Sequence, residues 1–377
     1  MRFTGGLKLK ILIDVGHPGH VHFFKNSIWE LEKKGHEILV TARGKEVTVD
    51  LLKAYGIKHK VLTSMKNGKV NLFLEWIIRD YKLLQVAREF NPDLLTGILN
   101  PSVAHVAWLL NKKSIIFNDT EHAKLAQNIT YPFSNIICTP TCFKKEIGAK
   151  QIRYSGYHEL SYLGPNYFTP NPDVLKELGL AVNDTFIILR FVSWGASHDG
   201  GQKGIDDKVK LVEKLAEYGR VFITSEAKLD DNLEKYRLKI SPEKLHDLLY
   251  YATLYVGEGA TTASECAVLG THAIYVNTLS LGYTDEEEIK YQLVYNFCNK
   301  ENMEIKAFDK AIELLQNKEL RSEGKQKRKK LLRDKIDVTN FMVASIEAYS
   351  IDNHFYSSEK YRSEKYPEEY STPMESL

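Results

Sequence analysis

Short apolar segments alternate with longer helical ones along this chain, and the alternation starts twice. The first start is an apolar run at residues 10–15, followed by a glycine-containing turn, a helix predicted over 20–34 and a second apolar run at 37–41. This order is the β-loop-α-β unit of a parallel sheet whose crossover connections are helices. The second start, at residues 186–191, follows a segment dense in proline, glycine and asparagine. Two consecutive α/β domains are therefore predicted.

Further strands and helices continue the pattern in both halves. In the first half, strands are expected at 93–95, 114–117, 135–138 and 151–154, with a helix over 70–90. In the second half, strands are expected at 186–191, 220–224, 254–256 and 273–276, with helices at 206–218, from Ser241 onward and at 261–269. Residues 308–350 are expected to be helical. The predicted fold class is α/β, with two doubly wound parallel-sheet domains facing a cleft and with C-terminal helices.

The break between the two patterns suggests where the domains end. The N-terminal domain is expected at residues 1–163, a linker at 164–172 and the second domain at 173–335. A helix at 336–350 is expected to pack back on the N-terminal domain, followed by a polar tail at 351–377. The apolar stretch 70–84 is expected to be a buried helix, with contact to a membrane or a lipid-linked substrate as the alternative.

Composition excludes several classes of protein. Fifty-one Lys and Arg residues against forty-nine Asp and Glu residues argue against a nucleic-acid-binding protein, which would carry a clearly basic domain. Four cysteines without zinc-ligand spacing indicate reduced thiols, with no disulfide framework. No signal peptide and no transmembrane run is recognised. We expect a cytoplasmic protein without a metal. If the basic run at 325–330 meets anionic lipid, it would attract the protein to the inner membrane surface.

The turn after the predicted strand 254–256 is the strongest candidate site. It combines small residues with hydroxyls and a carboxylate: Gly259, Ala260, Thr261, Thr262, Ser264 and Glu265. Free backbone N–H groups at a helix start bind phosphate, and small residues let an anion approach. The alternative is an ordinary strand-to-helix turn with threonine as the helix cap.

The turn after the first strand carries three histidines within six residues. Asp14, His17, Gly19 and His20 lie at the carboxyl edge of the predicted sheet, where open α/β sheets bind ligands. His20 or His17 is a candidate general base, because histidine titrates near neutral pH. A zinc site is one alternative. A plain turn in which His20 caps the helix is the other.

Two more loops are candidates because they also follow predicted strands. Asp119, Glu121 and His122 offer acid/base groups after the strand at 114–117, with an ordinary helix cap as the alternative. The strand at 186–191 carries the other candidates. Arg190 is suited to neutralise a diphosphate there, and the glycine-rich loop that follows contains Ser193 and His198. A solvent loop plugged by Trp194 is the alternative.

Residues 259–265, with Gly270 after them, resemble the nucleotide-sugar motif of GT-B glycosyltransferases. The pattern Gly-Ala-x-Thr-x-Ser-Glu is especially similar to that of the N-acetylglucosaminyl transferase that forms lipid II. The resemblance implies that this helix start faces the donor diphosphate and that Glu265 holds the ribose. The Pro18-Gly19-His20 turn is likewise similar to a Gly-Gly-His turn of that enzyme.

Over residues 10–350 the chain is similar to an archaeal and bacterial domain-of-unknown-function family grouped with GT-B folds. The stretches that carry this likeness are Asp14 with Pro18-x-His20, residues 118–123, and residues 259–265. The same grouping contains the non-hydrolysing UDP-N-acetylglucosamine 2-epimerase. This chain lacks the His-Val-Glu-Ala-Gly-Leu-Arg and His-Arg-Arg-Glu-Asn segments of that epimerase.

Together these features predict a metal-independent glycosyltransferase. The donor would be a nucleotide-diphosphate sugar, UDP-linked, and no resident cofactor is implied. The acceptor classes considered are a lipid-linked molecule and a polysaccharide, and the candidate catalytic groups are His20, Asp119, Glu121 and His122. A UDP-N-acetylglucosamine 2-epimerase and a non-catalytic nucleotide-sugar-binding protein are the alternatives, and the oligomeric state is left open.

Overall fold

The fold consists of two units, each built around its own parallel sheet. The computed structural model describes residues 8–45, 47–64, 69–192, 205, 207–225, 229–299 and 301–352. Within these ranges, the first unit contains residues 8–162 together with 336–352. The second unit contains residues 163–335.

The first unit alternates strands and helices from its start. Its elements are β1 (Lys10–Val15), α1 (Pro18–Lys33), β2 (Glu37–Gly44), α2 (Thr48–Ala54), β3 (His59–Ser64), α3 (Lys69–Phe90), β4 (Leu94–Ile98), α4 (Pro101–Leu109), β5 (Lys113–Phe117), α5 (Lys124–Thr130), β6 (Ile136–Pro140) and β7 (Gln151–Tyr154). A short helix α6 (Leu160–Leu163) follows at the boundary between the units.

The sheet of the first unit has seven parallel strands in the order β3-β2-β1-β4-β5-β6-β7. Strand β1 is central, and Ile11, Leu12, Ile13 and Val15 are fully buried. Helices cover both faces of such a sheet, so its inner strands are apolar without alternation. The strand order reverses between β1 and β4, which makes their carboxyl ends the topological switch point.

The second unit repeats the architecture with five parallel strands. Its elements are α7 (Asp173–Glu177), β8 (Phe186–Phe191), α8 (Lys208–Leu215), β9 (Arg220–Ser225), α9 (Asp231–Glu234), α10 (Leu245–Tyr251), β10 (Leu254–Gly257), α11 (Ala260–Leu269), β11 (Ala273–Val276), α12 (Gly282–Glu286), β12 (Val294–Phe297), α13 (Met303–Gln316) and α14 (Leu320–Asp334). The strand order is β12-β11-β10-β8-β9. The order reverses between β8 and β10, which is the switch point of this sheet.

The last described helix, α15 (Val338–Asp352), belongs to the first unit. The Phe341 ring stacks on Tyr154 at a centroid distance of 5.0 Å. The Thr339 hydroxyl donates to the Ser161 carbonyl at 2.7 Å. The chain thus returns to the first unit after completing the second. The predicted polar tail lies outside the described residues from 353 onward.

The predicted α/β fold class of two doubly wound parallel-sheet domains is confirmed, with corrections to individual elements. The prediction missed strands β3 and β12. Both lie at a sheet edge, where a strand meets one neighbour only and needs fewer apolar residues. Helix α1 begins at Pro18, two residues earlier than predicted, because proline is well suited to the first helical position.

The expectation that residues 70–84 form a buried helix is wrong for the side chains that the structure describes, from residue 74 onward. Among the described side chains of α3, Leu74, Ile77, Ile78 and Tyr81 are between 48% and 60% exposed. They share one helical face by their spacing of three and four residues. Of the helices in the described ranges, none is long and apolar enough to cross a bilayer.

Candidate active site

A cavity of about 180 Å³ opens at the switch point of the first unit. We call it the switch-point cavity. The described residues that line it come from the ends of β1, β2 and β4 and from α1, α3, α4 and α5: Gly16, His20, Arg43, Trp76, Arg79, Ile98, Leu99, Asn100, Pro101, Ser102 and Ala126. Predicted site residue His20 is therefore in a cavity wall.

Asp14 lies at the base of this region and is fully buried. Its Oδ1 accepts a hydrogen bond from the Thr41 hydroxyl at 2.5 Å, and its Oδ2 accepts from Arg79 and Asn100, each at 2.6 Å. A buried carboxylate needs such partners to offset the loss of water. Asp14 therefore fixes two cavity-lining side chains, and the predicted direct contact with substrate does not fit this placement.

A second ion pair holds the other guanidinium of the cavity wall. Arg43 Nε and Nη2 donate to the two oxygens of Glu75 at 2.7 and 2.6 Å, a bidentate pair. Burial acts to raise the pKa of Glu75, but the hydrogen bonds and charge of Arg43 outweigh it and the pKa is lowered. Glu75 is thus held ionised, which keeps Arg43 in one orientation.

In the turn after β1, two histidine rings accept hydrogen bonds from backbone N–H groups. His17 is the N-cap of α1, and its Nδ1 accepts from the Gly19 N–H at 3.1 Å. His20 Nδ1 accepts from the Gly16 N–H at 3.3 Å. The alternative in which His20 caps the helix is wrong, because His17 fills that role. Burial, followed by the neighbouring His17 and His158 imidazoles, lowers the pKa of His20 well below its ordinary value.

Asp119 pairs with a histidine that the sequence analysis missed. His158 Nδ1 lies 3.0 Å from Asp119 Oδ2, and the ring packs 4.3 Å from the Phe23 ring centroid. Burial acts to raise the pKa of Asp119, but the charge and hydrogen bond of His158 outweigh it and lower the pKa. His158 follows β7 at the same sheet edge, so the rule that selected the other candidate loops was the signal available for it.

The other residues of the 119–122 loop are placed differently. Glu121 is buried, and its Oε1 accepts from the Lys144 N–H at 3.2 Å. His122 is exposed. Neither Asp119 nor Thr120 caps a helix, because α5 begins after Ala123 and has no side-chain cap. Of the predicted catalytic residues, the structure thus brings together His20 and Asp119, whose charge acts on His20.

The second candidate site is the switch point of the second unit. Arg190 at the end of β8 is the register partner of Gly257 in β10. Helix α11 follows with Gly259 as its N-cap and no side-chain cap, so the threonine cap considered from sequence is wrong. Gly259 and Ala260 are partly exposed and Thr261 is exposed. The start of the helix is therefore at least partly open to solvent.

Arg190 lies directly against the backbone of this turn. A Cβ atom added at Gly259 would be 3.1 Å from Arg190 Cδ and Nε. A side chain at this position would require Arg190 to shift by a few tenths of an ångström. A guanidinium beside the amino end of a helix is an arrangement suited to an anion.

Glu265 lies one turn into α11 and is paired. It is 5% exposed, and its Oε1 is 2.9 Å from Nε2 of His246 in α10, which is also buried. Thr262 and Ser264 are buried too, and the Ser264 hydroxyl donates to Glu287 at 2.6 Å. Sequence reasoning missed His246 because it precedes the motif by thirteen residues or more in a separate helix.

Glu258, between Gly257 and Gly259, is buried and binds two backbone segments. Its carboxylate accepts from the Val192 N–H at 2.8 Å and from the Ile205 N–H at 2.7 Å. The predicted site residues Ser193 and His198, and the Trp194 plug, lie outside the described residues.

Two further sequence features have structural outcomes. In the part of the chain that the structure describes, no three His, Cys, Asp or Glu side chains are grouped to hold a metal ion. The basic run 325–330 lies on α14. There Lys327 donates to the Gln292 carbonyl, Arg328 to the Val268 carbonyl and Lys330 to the Lys290 carbonyl. Part of the run therefore stabilises the second unit.

The amino-acid sequence is similar to a protein family and to a protein from an archaeon. A family model described as "Protein of unknown function (DUF354)" matches residues 9–350. An uncharacterized protein of Methanocaldococcus jannaschii is 26% identical over 277 residues, which are 70% of this chain and 80% of that protein.

Solved structures of the same fold include epimerases and glycosyltransferases. UDP-GlcNAc 2-epimerase from Neisseria meningitidis, bound to UDP-GlcNAc, superposes with a TM-score of 0.64 at 13% identity, over 90% of this chain and 99% of that one. The spinosyn forosaminyltransferase SpnP superposes with a TM-score of 0.61 at 11% identity, over 91% of this chain and all of the other. The likeness shows the GT-B fold.

Proposed function

The chain belongs to the DUF354 family, and on that premise we propose that it is a metal-independent glycosyltransferase that uses a UDP-sugar as donor. The second unit binds the donor, and the first unit binds the acceptor. The complex of the Neisseria meningitidis protein with UDP-GlcNAc supports a nucleotide sugar as the ligand of this fold.

The observation that carries the proposal is the start of α11. Gly259, Ala260 and Thr261 present backbone amides at a strand-order switch point, with Arg190 packed against the turn. Amides and a guanidinium stabilise the charge that develops on a departing diphosphate, a task that other enzymes give to a metal ion. Glu265, held by His246, lies one turn further along and is the candidate to accept hydrogen bonds from the ribose hydroxyls.

His20 is the proposed general base. Its lowered pKa keeps the imidazole neutral near pH 7, so that it is able to take a proton. The acceptor hydroxyl oxygen forms a bond to the anomeric carbon while the bond from that carbon to the diphosphate oxygen breaks. The hydroxyl proton passes to Nδ1 of His20, which gives up its hydrogen bond from the Gly16 N–H, and the electron pair leaves with the nucleoside diphosphate. The charges of His158 and Asp119 act on the pKa of His20 in opposite directions, since His158 lowers it and Asp119 raises it.

Replacement of Glu265 tests the donor site. Glu265→Gln keeps an oxygen that accepts from His246 but removes the negative charge, and Glu265→Ala removes both. We expect each variant to lower the affinity for UDP at least about tenfold in calorimetry, because a charge-assisted bond to the ribose is lost. The exposed Glu217→Gln variant of the same unit is the control. Unchanged UDP binding by both Glu265 variants would contradict the assignment of Glu265 to the donor site.

Epimerisation of the same ligand is the second candidate. The fold is shared with UDP-GlcNAc 2-epimerases, and Asp119 and His158 are acid/base groups next to His20. Incubation with UDP-N-acetylglucosamine in deuterated water separates the reactions. Epimerisation introduces deuterium at C2, whereas a transferase leaves C2 unlabelled. Binding of UDP with neither label nor transfer to any acceptor points to a non-catalytic nucleotide-sugar-binding protein.

A further inference from the structure

The charged groups that line the switch-point cavity are positive, and their negative partners are buried. Arg43 and Arg79 line it, whereas the carboxylates that pair with them, Glu75 and Asp14, are buried at 5% and 0% exposure. None of the described residues that line the cavity is acidic. Each ion pair is neutral as a whole but presents its positive end to the cavity.

The two guanidinium groups are held rigidly before any ligand arrives. The bidentate pair with Glu75 uses Nε and Nη2 of Arg43, so Nη1 takes no part in it. Arg79 is fixed by Asp14 at 2.6 Å and by the Thr63 hydroxyl at 3.1 Å. Guanidinium forks already fixed in place lose little conformational entropy when they bind an oxyanion.

Helix α4 adds a third positive contribution. It has nine residues and begins at Pro101 on the cavity wall, with Asn100 as its N-cap. The amino end of a helix carries a partial positive charge. The Asn100 side chain accepts from the Val103 N–H at 3.2 Å and donates to Asp14, so the helix start and the ion pair form one connected structure.

Two other side chains that line the cavity carry aromatic rings. Trp76 supplies an aromatic surface, and His20, the proposed base, lies in the same wall. Ligand sites combine such an apolar surface with a few fixed polar groups. We propose that the switch-point cavity binds an acceptor sugar that carries an anionic group, a phosphate or a carboxylate, against Arg43 and Arg79. The assignment of this ligand as the acceptor rests on the proposed function.

Tryptophan fluorescence tests the proposal without any turnover. The full-length protein is titrated at low salt with glucose 1-phosphate, glucuronate and glucose. We expect at least one of the two anionic sugars to bind at least about tenfold tighter than glucose, because only they bind the guanidinium groups with charge. Trp76→Phe should remove the fluorescence response, whereas Trp108→Phe, which changes an exposed tryptophan of the same unit, should keep it.

A charge-balanced double variant identifies the groups responsible. Arg43→Gln with Glu75→Gln removes the guanidinium and its buried partner together, so net charge is unchanged and no buried carboxylate loses its pair. We expect the preference for the anionic sugars to fall at least about fivefold. The same double change at Arg237 and Glu234, a bidentate pair of the second unit at 2.5 and 3.0 Å, is the matched control.

The two proposals fail in different ways. Equal binding of glucose and both anionic sugars, or a preference that the Arg43/Glu75 double variant leaves intact, overturns the anionic acceptor. UDP calorimetry on the same sample reports the donor site of the second unit separately. UDP binding without an anionic preference leaves the proposed transferase in place and removes this inference. An anionic preference without UDP binding supports the cavity assignment and removes the donor assignment.

Discussion

At the scale of single residues, the buried carboxyl groups differ in the hydrogen-bond and charge partners that surround them. Asp14 accepts three hydrogen bonds, two of them from residues of the cavity wall. Glu265 has His246 beside it. Glu287 receives a hydrogen bond from Ser264, yet burial raises its pKa to about 8, and the hydrogen bond and the charge of Lys335 only partly oppose this. Glu287 is thus a buried carboxyl that holds its proton at neutral pH.

Glu287 makes the stability of the second unit depend on pH. The unfolded chain ionises near the ordinary glutamate value of 4.5, while the folded chain holds its proton up to about pH 8. Between these values the folded state binds more protons, so the free energy of unfolding falls as pH rises, by at most about 1.4 kcal/mol per pH unit. We expect Glu287→Gln to flatten this fall in thermal melts from pH 5 to pH 8.

Glu217→Gln, which changes an exposed carboxylate of the same unit, should keep the wild-type slope. Parallel melting profiles for wild type and Glu287→Gln across the same pH range would show that Glu287 is ionised in the folded protein.

Some of the candidate site residues were predicted from the sequence, and others were not. His20 and Gly259 were found because they follow predicted strands at the ligand-binding edge of a sheet. Arg43 and Arg79 were not, since one ends β2 and the other lies in the middle of α3. Sixty-five residues separate Arg79 from Asp14 along the chain, and only folding brings them to 2.6 Å.

At the scale of elements, helices α11 and α14 pack through two glycines. Gly270 ends α11 in the left-handed conformation at φ +82°, and a Cβ added at Gly324 of α14 would lie 2.1 Å from the Gly270 carbonyl oxygen. Arg328 Nε donates to the Val268 carbonyl near the same helix end at 2.8 Å. A cation at the carboxyl end of a helix stabilises it, which gives part of the basic run a structural role.

Replacing Gly324 with alanine should separate these two helices. The neighbouring atom is backbone and is unable to rotate away, so we expect Gly324→Ala to lower stability by about 1–3 kcal/mol, as overpacking does. Chemical denaturation measures the change. Gln326→Ala on the exposed side of α14 is the control and should change stability by less than about 0.5 kcal/mol. A Gly324→Ala protein as stable as this control would contradict the close packing of α14 on α11.

The inner strands of both sheets were predicted from sequence, whereas two of the four edge strands, β3 and β12, were missed. Strand β1 is apolar because sheet neighbours and helices surround it. Strand β3 has exposed Val61 at 47% and pairs on one side only, so its sequence has no continuous apolar run. The apolar residues of α3 led to the opposite error, because burial was predicted for side chains that are exposed. Hydrophobicity alone does not distinguish a buried helix from one with an exposed apolar face.

At the scale of the whole molecule, each unit has its own sheet and its own switch point. A ligand that binds one unit stabilises that unit by mass action and slows its opening. If the proposed donor site is correct, we expect saturating UDP to increase the hydrogen-exchange protection of residues 245–269, which contain α10, β10 and α11. Residues 10–44, which contain the first strands and the histidine turn, should be protected much less.

The Glu265→Gln protein is the matched sample for this exchange experiment, because it keeps the fold but is expected to bind UDP weakly. Protection that appears first in residues 10–44, or that persists unchanged in Glu265→Gln, would place the nucleotide on the first unit and reverse the proposed division between donor and acceptor.

The sequence by itself determined the α/β class, the two sheets and the turns at the carboxyl ends of their strands. Those features depend on local order, namely apolar runs, helix starts and small residues, which leave a pattern along the chain. Only the tertiary structure decided that Asp119 pairs with His158, that His246 holds Glu265 and that two arginines face one cavity. These partners come from separate elements, and burial selects them by distance and by the need to pair charge, which no local pattern records.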